Sequence, residues 1–269
     1  MRLLNNRPER LTTVPYRAAG PGGGTQNVQL SVERLWVDEL PAGCGALLAA
    51  GDLQGVAPSP LGGEAGLLGI ALADYLGVWA ESGLLPPADE IGVLLTGDLY
   101  SAPHADRRGA SGAVLDVWLA FAAAGCPMVF GVAGNHDEVT ASQVAELGPD
   151  VALLDGNRRS YGGVTIAGVS GVVGDPERVL RRAEKDFLGL LEKVTTPVPD
   201  ALLLHEGPVG EQVEQLGRAS VRSLLERRAP ALTLCGHVHW NEPVAALGAG
   251  YVVNVDARVM IFLPEGAGH

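Results

Sequence analysis

The chain is short of positive charge: 19 Lys and Arg stand against 31 Asp and Glu, for a formal net charge of -12 at pH 7. Non-specific attraction to nucleic acid or to an anionic membrane needs basic surface, so neither is expected as a partner. Cysteine is scarce as well. Cys44, Cys126 and Cys235 are odd in number and lack Cys-x-x-Cys spacing, which argues against a disulfide framework and for reduced, mostly buried thiols. No apolar run is long enough to span a bilayer, and the start, Met1 to Arg10, lacks the apolar segment of a secretory leader. A cytoplasmic location is therefore expected by default. No repeat recurs at the roughly 20-to-50-residue period of a solenoid. A 47% hydrophobic and 19% charged composition excludes global disorder, and 269 residues suit one large α/β domain with a sizeable core.

Five short apolar runs are present, each ending beside a residue type that binds metals. They are Ala46 to Ala50, Ile91 to Thr96, Met128 to Ala133, Ala201 to Leu204 and Ala231 to Cys235. Each is apolar on both faces and flanked by turn residues, as a buried strand is. They lead into Gly51-Asp52-Leu53-Gln54, Gly97-Asp98, Gly134-Asn135-His136-Asp137, His205, and Gly236-His237-Val238-His239. The ligand-type residues thus fall at strand carboxyl ends, which in open α/β sheets line the ligand crevice.

Around this frame, Met1 to Asn27, with Pro15 and Gly20-Pro21-Gly22-Gly23-Gly24, reads as an extended or partly mobile segment ahead of a single domain over 28–269. Val28 to Val37 alternates as a half-exposed strand does. Helices are expected over Glu64–Ser82, Gly112–Ala124, Thr140–Leu147, Pro176–Val194 and Gly210–Arg228. Val151–Leu154 and Tyr161–Val169 read as strands of a second sheet, and Pro243–Leu247, Tyr251–Val255 and Val259–Leu263 as closing antiparallel strands.

Of six histidines, His136, His205, His237 and His239 lie on the five loops, and only His104 and His269 fall elsewhere. One histidine at a strand end is ordinarily a core or surface residue. Four of them, gathered with Asp52, Asp98 and Asn135, point instead to a metal site. Imidazole, carboxylate and amide donors together suit Mn, Fe, Zn or a similar ion better than Ca.

From about residue 46 to 255 the chain resembles the calcineurin-like metallophosphoesterases, whose order of motifs is Asp-x-His, Gly-Asp, Gly-Asn-His-Asp or Glu, His, and Gly-His-x-His. Gly134-Asn135-His136-Asp137 and Gly236-His237-Val238-His239 match the most specific blocks letter for letter. The resemblance implies a four-layer α/β sandwich, with two mixed β-sheets face to face and helices outside. It also implies two divalent metal ions. Asp98 would bridge them, one ion taking Asp52, Gln54 and His239 and the other Asn135, His205 and His237. Two ions about 3.5 to 4 Å apart can grip a phosphate and generate hydroxide at neutral pH.

His136 would be the family's non-ligand histidine, binding phosphate and protonating the leaving oxygen, a role for which imidazole is the usual side chain. Asp137 is the candidate to orient it, with Asp106 as rival. Arg107, Arg108 and His104 could reach a phosphate or belong to a solvated loop, whereas Arg178, Arg181 and Arg182 read as a charged helix face. One departure stands out. Gln54 replaces the family's histidine, and a neutral amide oxygen is the poorer ligand for such an ion. The expected function is hydrolysis of a phosphate mono- or diester of a small phosphorylated substrate. A binding scaffold that has lost catalysis, or a protein phosphatase, would be the alternatives, though the compact Asp-Arg block of protein phosphatases is missing.

Overall fold

Along Ala46–Gly51 (β3) every residue is buried, because alternate side chains enter two different cores. Ala46, Leu48 and Ala50 pack with the helices on one side, and Leu47 and Ala49 pack against a second sheet on the other. Ala201–Glu206 (β15) does the same from the opposite sheet, sending Ala201 and Leu203 inward and Leu202 and Leu204 outward. This two-faced burial is why the sequence shows continuous apolar runs rather than alternation.

The structure, a computed structural model, describes residues 1–266, so His269 lies outside the described residues. Its remaining strands are β1 (Glu9–Ala19), β2 (Thr25–Val37), β4 (Gly55–Pro58), β5 (Ala65–Leu67), β6 (Ile91–Leu95), β7 (Gly112–Ala113), β8 (Val129–Gly131), β9 (Asp137–Glu138), β10 (Val151–Leu153), β11 (Asn157–Tyr161), β12 (Val164–Val169), β13 (Val172–Val173), β14 (Arg181–Arg182), β16 (Leu232–Gly236), β17 (Val244–Leu247), β18 (Gly250–Asn254) and β19 (Arg258–Pro264). The helices are α1 (Leu68–Glu81), α2 (Leu115–Ala123), α3 (Ala141–Ala145), α4 (Glu184–Val194) and α5 (Ala219–Leu225).

A nine-stranded sheet in the order β10-β8-β6-β3-β19-β2-β1-β4-β5 faces a six-stranded sheet in the order β11-β12-β15-β16-β18-β17. Phe130, Leu94 and Phe262 of the first meet Ile166, Leu234 and Val253 of the second. The first sheet's other face is covered by α1 and α2, through Leu72, Leu76, Trp118 and Phe121. Phe187 and Leu191 of α4, with Val221 and Leu225 of α5, cover the second sheet. The result is the expected four-layer sandwich of two mixed sheets.

Strands β3, β6 and β8 run parallel, as do β15, β16 and β18, so their carboxyl ends open on one edge of the sandwich.

Several expectations need correcting: α5 is shorter than the helix expected over 210–228, and β19 does not follow β17 and β18 but joins the first sheet, parallel to β2 and antiparallel to β3. The stretch before Asn27 is no separate segment: β1 pairs with β2 over nearly its whole length, and a boundary at residue 27 falls inside β2. The strand β10 joins the first sheet, parallel to β8, rather than the second. The helix expected from Pro176 begins only at Glu184. Arg181 and Arg182 form β14 beside β13, and Arg182 pairs with Asp155 at 2.6 Å, so these arginines make no helix face. Among the described residues no helix is long and apolar enough to cross a membrane.

Candidate metal centre

The turns after the parallel strands are built around carboxylates. The Asp52 amide donates to the Gly97 carbonyl at 2.8 Å, and Asp52 Oδ2 accepts the His237 amide at 2.9 Å, which ties the loops after β3, β6 and β16 together. Asp98 Oδ1 accepts the His136 amide at 3.0 Å, so the loops after β6 and β8 are joined in the same manner. These approaches need glycine. A side chain on Gly134 would run into the Asp98 carboxylate, and one on Gly236 into that of Asp52.

Asp52, Asp98 and His237 themselves sit in the left-handed region, with φ of 52°, 53° and 69°. Non-glycine residues avoid that conformation, and it persists where the surroundings over-determine it, as at binding sites.

Ligand atoms of Asp98, His205 and His237 lie within 4.8 Å of one another. His205 is fully buried, and its Nδ1 lies 2.8 Å from the Thr96 carbonyl. That carbonyl can only accept, so Nδ1 carries a proton, and Nε2 faces Asp98 Oδ2 at 3.4 Å, where it can hold either a second proton or a metal ion. Both His205 Nε2 and the Oδ1 of buried Asn135 lack a hydrogen-bond partner. An unsatisfied buried polar atom costs about 1–3 kcal/mol, and a cation held between these atoms would remove that cost. The donor set therefore fits a divalent metal ion.

The electrostatics agree. Burial alone would hold the His205 pKa down, but the Asp98 and Asp52 carboxylates outweigh it and raise it to about 10. Burial would raise Asp98, yet His205 and His136 bring its pKa below the usual value. Asp52 is pushed up by burial, and by Asp256 and Asp98 against the pull of His205. The His237 pKa is lowered by burial and by His205. The carboxylates thus draw positive charge to this point, as a proton on His205 or as a cation on its free Nε2.

The remaining candidates are arranged differently. Gln54 turns its amide nitrogen toward Asp98 Oδ2, 3.0 Å away, and so donates to the carboxylate. His239 is half-exposed, with Nδ1 at 3.2 Å from both the carbonyl and Oδ1 of Asp256. Its Nε2 lies 3.3 Å from the guanidinium of buried Arg258.

Asp137, expected to orient His136, makes its hydrogen bonds elsewhere than to that ring. Buried, it accepts the amides of Asp98 and Leu99 at 2.8 Å and of Gly134 at 2.9 Å, which holds two metal-side loops at a fixed separation. Burial and the Asp98 charge raise its pKa to about 6 against those amides. The group beside His136 Nδ1 is Ser111 Oγ, at 3.1 Å. The rival Asp106 is exposed.

A cavity of about 360 Å³ opens over the centre. Asp98, His136 and His237 line its floor, Tyr16 and Gln26 of the β1–β2 hairpin one wall, and Arg107 and Arg108 another wall.

Asp256, Arg258 and Ser111 were not anticipated. Asp256 follows β18 and obeys the strand-end rule that found the others, and Arg258 is a lone charge at the head of an apolar strand. Ser111 carries no sequence signal.

The calcineurin-like phosphoesterase family matches residues 47–241, and the chain belongs to that family. Its members are metal-dependent phosphoesterases. No curated protein matches the chain. Among solved structures, TT1561 of Thermus thermophilus is similar at 18% identity and a TM-score of 0.52, covering 80% of this chain and 90% of its own. A second crystal structure is 16% identical with a TM-score of 0.55, covering 81% and 91%. At such identities the likeness shows the fold alone.

Proposed function

We propose that the chain hydrolyses a phosphate ester of a small molecule, with divalent metal held by Asp98, Asn135, His205 and His237 and with His136 as proton donor to the leaving oxygen. The observation that carries this reading is the pair of buried ligand atoms without a hydrogen bond on Asn135 and His205, next to Asp98 and His237, which line a cavity together with His136. A bound ion of the Mn, Fe or Zn type would polarise a phosphoryl oxygen and lower the pKa of water.

The protein's own groups do the rest. With Nδ1 engaged by Ser111 and its amide by Asp98, His136 has a fixed backbone and one free ring nitrogen, Nε2. An imidazole so placed can pass a proton to the leaving oxygen. Arg107 and Arg108, exposed and in no ion pair among the described residues, offer guanidinium forks to an anionic substrate. Gly109, next in the chain, would touch the His136 ring if it carried a side chain, so the loop that carries the arginines runs beside His136.

A cavity of this volume favours a nucleotide or sugar phosphate over a polymer. The acidic chain supports the same choice against nucleic acid or membrane, and three free thiols fit a cytoplasmic setting.

The test is a screen of phosphomonoesters, cyclic nucleotides and aryl diesters across Mn, Fe, Co, Ni, Zn and Mg. Metal-dependent turnover is expected. Full activity after exhaustive chelation would refute the reading, and neither metal nor turnover in protein purified with Mn would favour a binding scaffold.

A further inference from the structure

The two halves of the expected two-ion site are unequally equipped. The inner half keeps Asp98, His205, His237 and Asn135, with His205 Nε2 and Asn135 Oδ1 free of hydrogen bonds. The outer half was to be Asp52, Gln54 and His239, sharing Asp98. Two of these three side chains are committed elsewhere. Gln54 directs N–H, which cannot bind a cation, at Asp98 Oδ2. The acceptor is the same oxygen that faces His205 Nε2 at 3.4 Å, so Gln54 supports the inner carboxylate with a donor and not an outer ion with a lone pair.

His239 is held at both nitrogens. Nδ1 meets an acceptor pair on Asp256, so it carries the proton, and the lone pair of Nε2 is taken by Arg258 Nη2 at 3.3 Å. Arg258 is not a surface visitor. It is 6% exposed, bonded to the Trp240 carbonyl, and 3.7 Å from Glu33 on β2. A permanently charged guanidinium therefore stands where the outer ion would need the His239 lone pair, and like charges repel most strongly away from water.

We infer that this chain binds a single metal ion, at Asp98, Asn135, His205 and His237. Glu33, Arg258, His239 and Asp256 form instead a structural ion cluster that pins the Gly236–Trp240 loop to β2 and to the start of β19. The departure at Gln54 and the burial of Arg258 belong together: an amide that is a poorer ligand than imidazole and here turns its N–H inward, and a fixed cation that uses the histidine left over. The inference rests on the metal-dependent reading above only in requiring that an ion binds at all.

Metal analysis and Mn calorimetry on apo protein test it without reference to activity. One equivalent per chain is expected, with the electron spin resonance spectrum of an isolated Mn ion. His239→Ala should still bind one equivalent with affinity within about threefold of the native protein. Two tight equivalents in the native chain, or loss of an ion in His239→Ala, would overturn the inference while leaving the metal-dependent reading intact. No binding in any variant would refute that reading as well. The double variant Gln54→His, Arg258→Met should gain a second equivalent and exchange-coupled Mn, and a folded double variant that still takes one ion would overturn the assignment of these two residues as the cause. If that variant does not fold, His239→Ala, altered at a half-exposed side chain, carries the test with Gln54→His alone.

Discussion

On either side of Asp98 lie two clusters made of similar residues that have come to opposite states. Inside, His205 Nε2 and Asn135 Oδ1 are buried without a hydrogen bond, His205 having only the Asp98 charge 3.4 Å away. Outside, Gln54 turns its Nε2–H to Asp98, and His239 has both ring nitrogens engaged by Asp256 and Arg258. Side-chain identity alone does not separate the two, since His205 and His239 are both strand-end histidines. What separates them is whether the ligand atom is left without a hydrogen bond, at the cost of a buried unsatisfied group. A fold tolerates that cost, about 1–3 kcal/mol for each atom, where a ligand repays it. Residual polar dissatisfaction is thus a better guide to a metal than the presence of His and Asp.

The largest expected effect follows from this contrast. His205→Ala should abolish metal binding and lower turnover by more than about 100-fold, because even partners outside the coordination shell are worth 10–100-fold. The matching outer variant, His239→Ala, should stay within a few-fold in both. Metal content and kcat/KM on the pair decide the matter, and equal losses from both would erase the distinction. His136→Ala comes next, with turnover down by roughly 100-fold at unchanged metal content, the usual worth of a general acid. A variant that lost its metal instead would make His136 part of the inner set.

Much of this was legible in the sequence for one physical reason. Strands buried on both faces are apolar throughout, so a polar residue just past Ala50, Thr96 or Cys235 marks the point where the chain leaves the core. Asp52, Asp98 and His237 were found that way. Their positive φ was not readable, because the left-handed conformation is imposed by cross-loop bonds such as His237 to Asp52 rather than by local preference. The same limit explains Asp137, whose neighbour in sequence is His136 but whose three partners are amides of the loops after β6 and β8. The β1–β2 hairpin was missed because its tip, rich in Gly and Pro, hides the pairing that orders the strands on both sides. Arg258 reaches His239 only through the return of β19 beside β2 and β3.

The inner site should also respond to pH. In the metal-free protein the His205 pKa stands near 10, above its ordinary value, so its bound proton stabilises the fold, fully below about pH 6.5 and less as pH rises through 10. A metal ion must displace that proton. Mn affinity should therefore rise about tenfold per pH unit between about pH 7 and 9, with at least one proton released per ion. Calorimetry in buffers of different ionisation enthalpy measures this directly. Binding without proton release would mean that His205 is neutral beforehand and that the carboxylates are not what holds the inner site ready.

The smallest effect is expected at the cavity mouth, and it bears on the same contrast. Arg107 and Arg108 are exposed, so solvent and salt screen them and a bidentate contact is worth far less than a buried one. Even so, with a single ion below, the substrate anion has fewer positive partners at the floor of the cavity and should lean on the arginines. Arg107→Ala, Arg108→Ala together should raise KM by roughly fivefold to tenfold with kcat little changed, an effect that shrinks as ionic strength increases. Were a second ion present in the outer position, it would grip the same anion from below, and the double variant would leave KM almost unmoved. Steady-state kinetics at low and high salt would then tell against the inner–outer asymmetry from the substrate's side, independently of any count of metal ions.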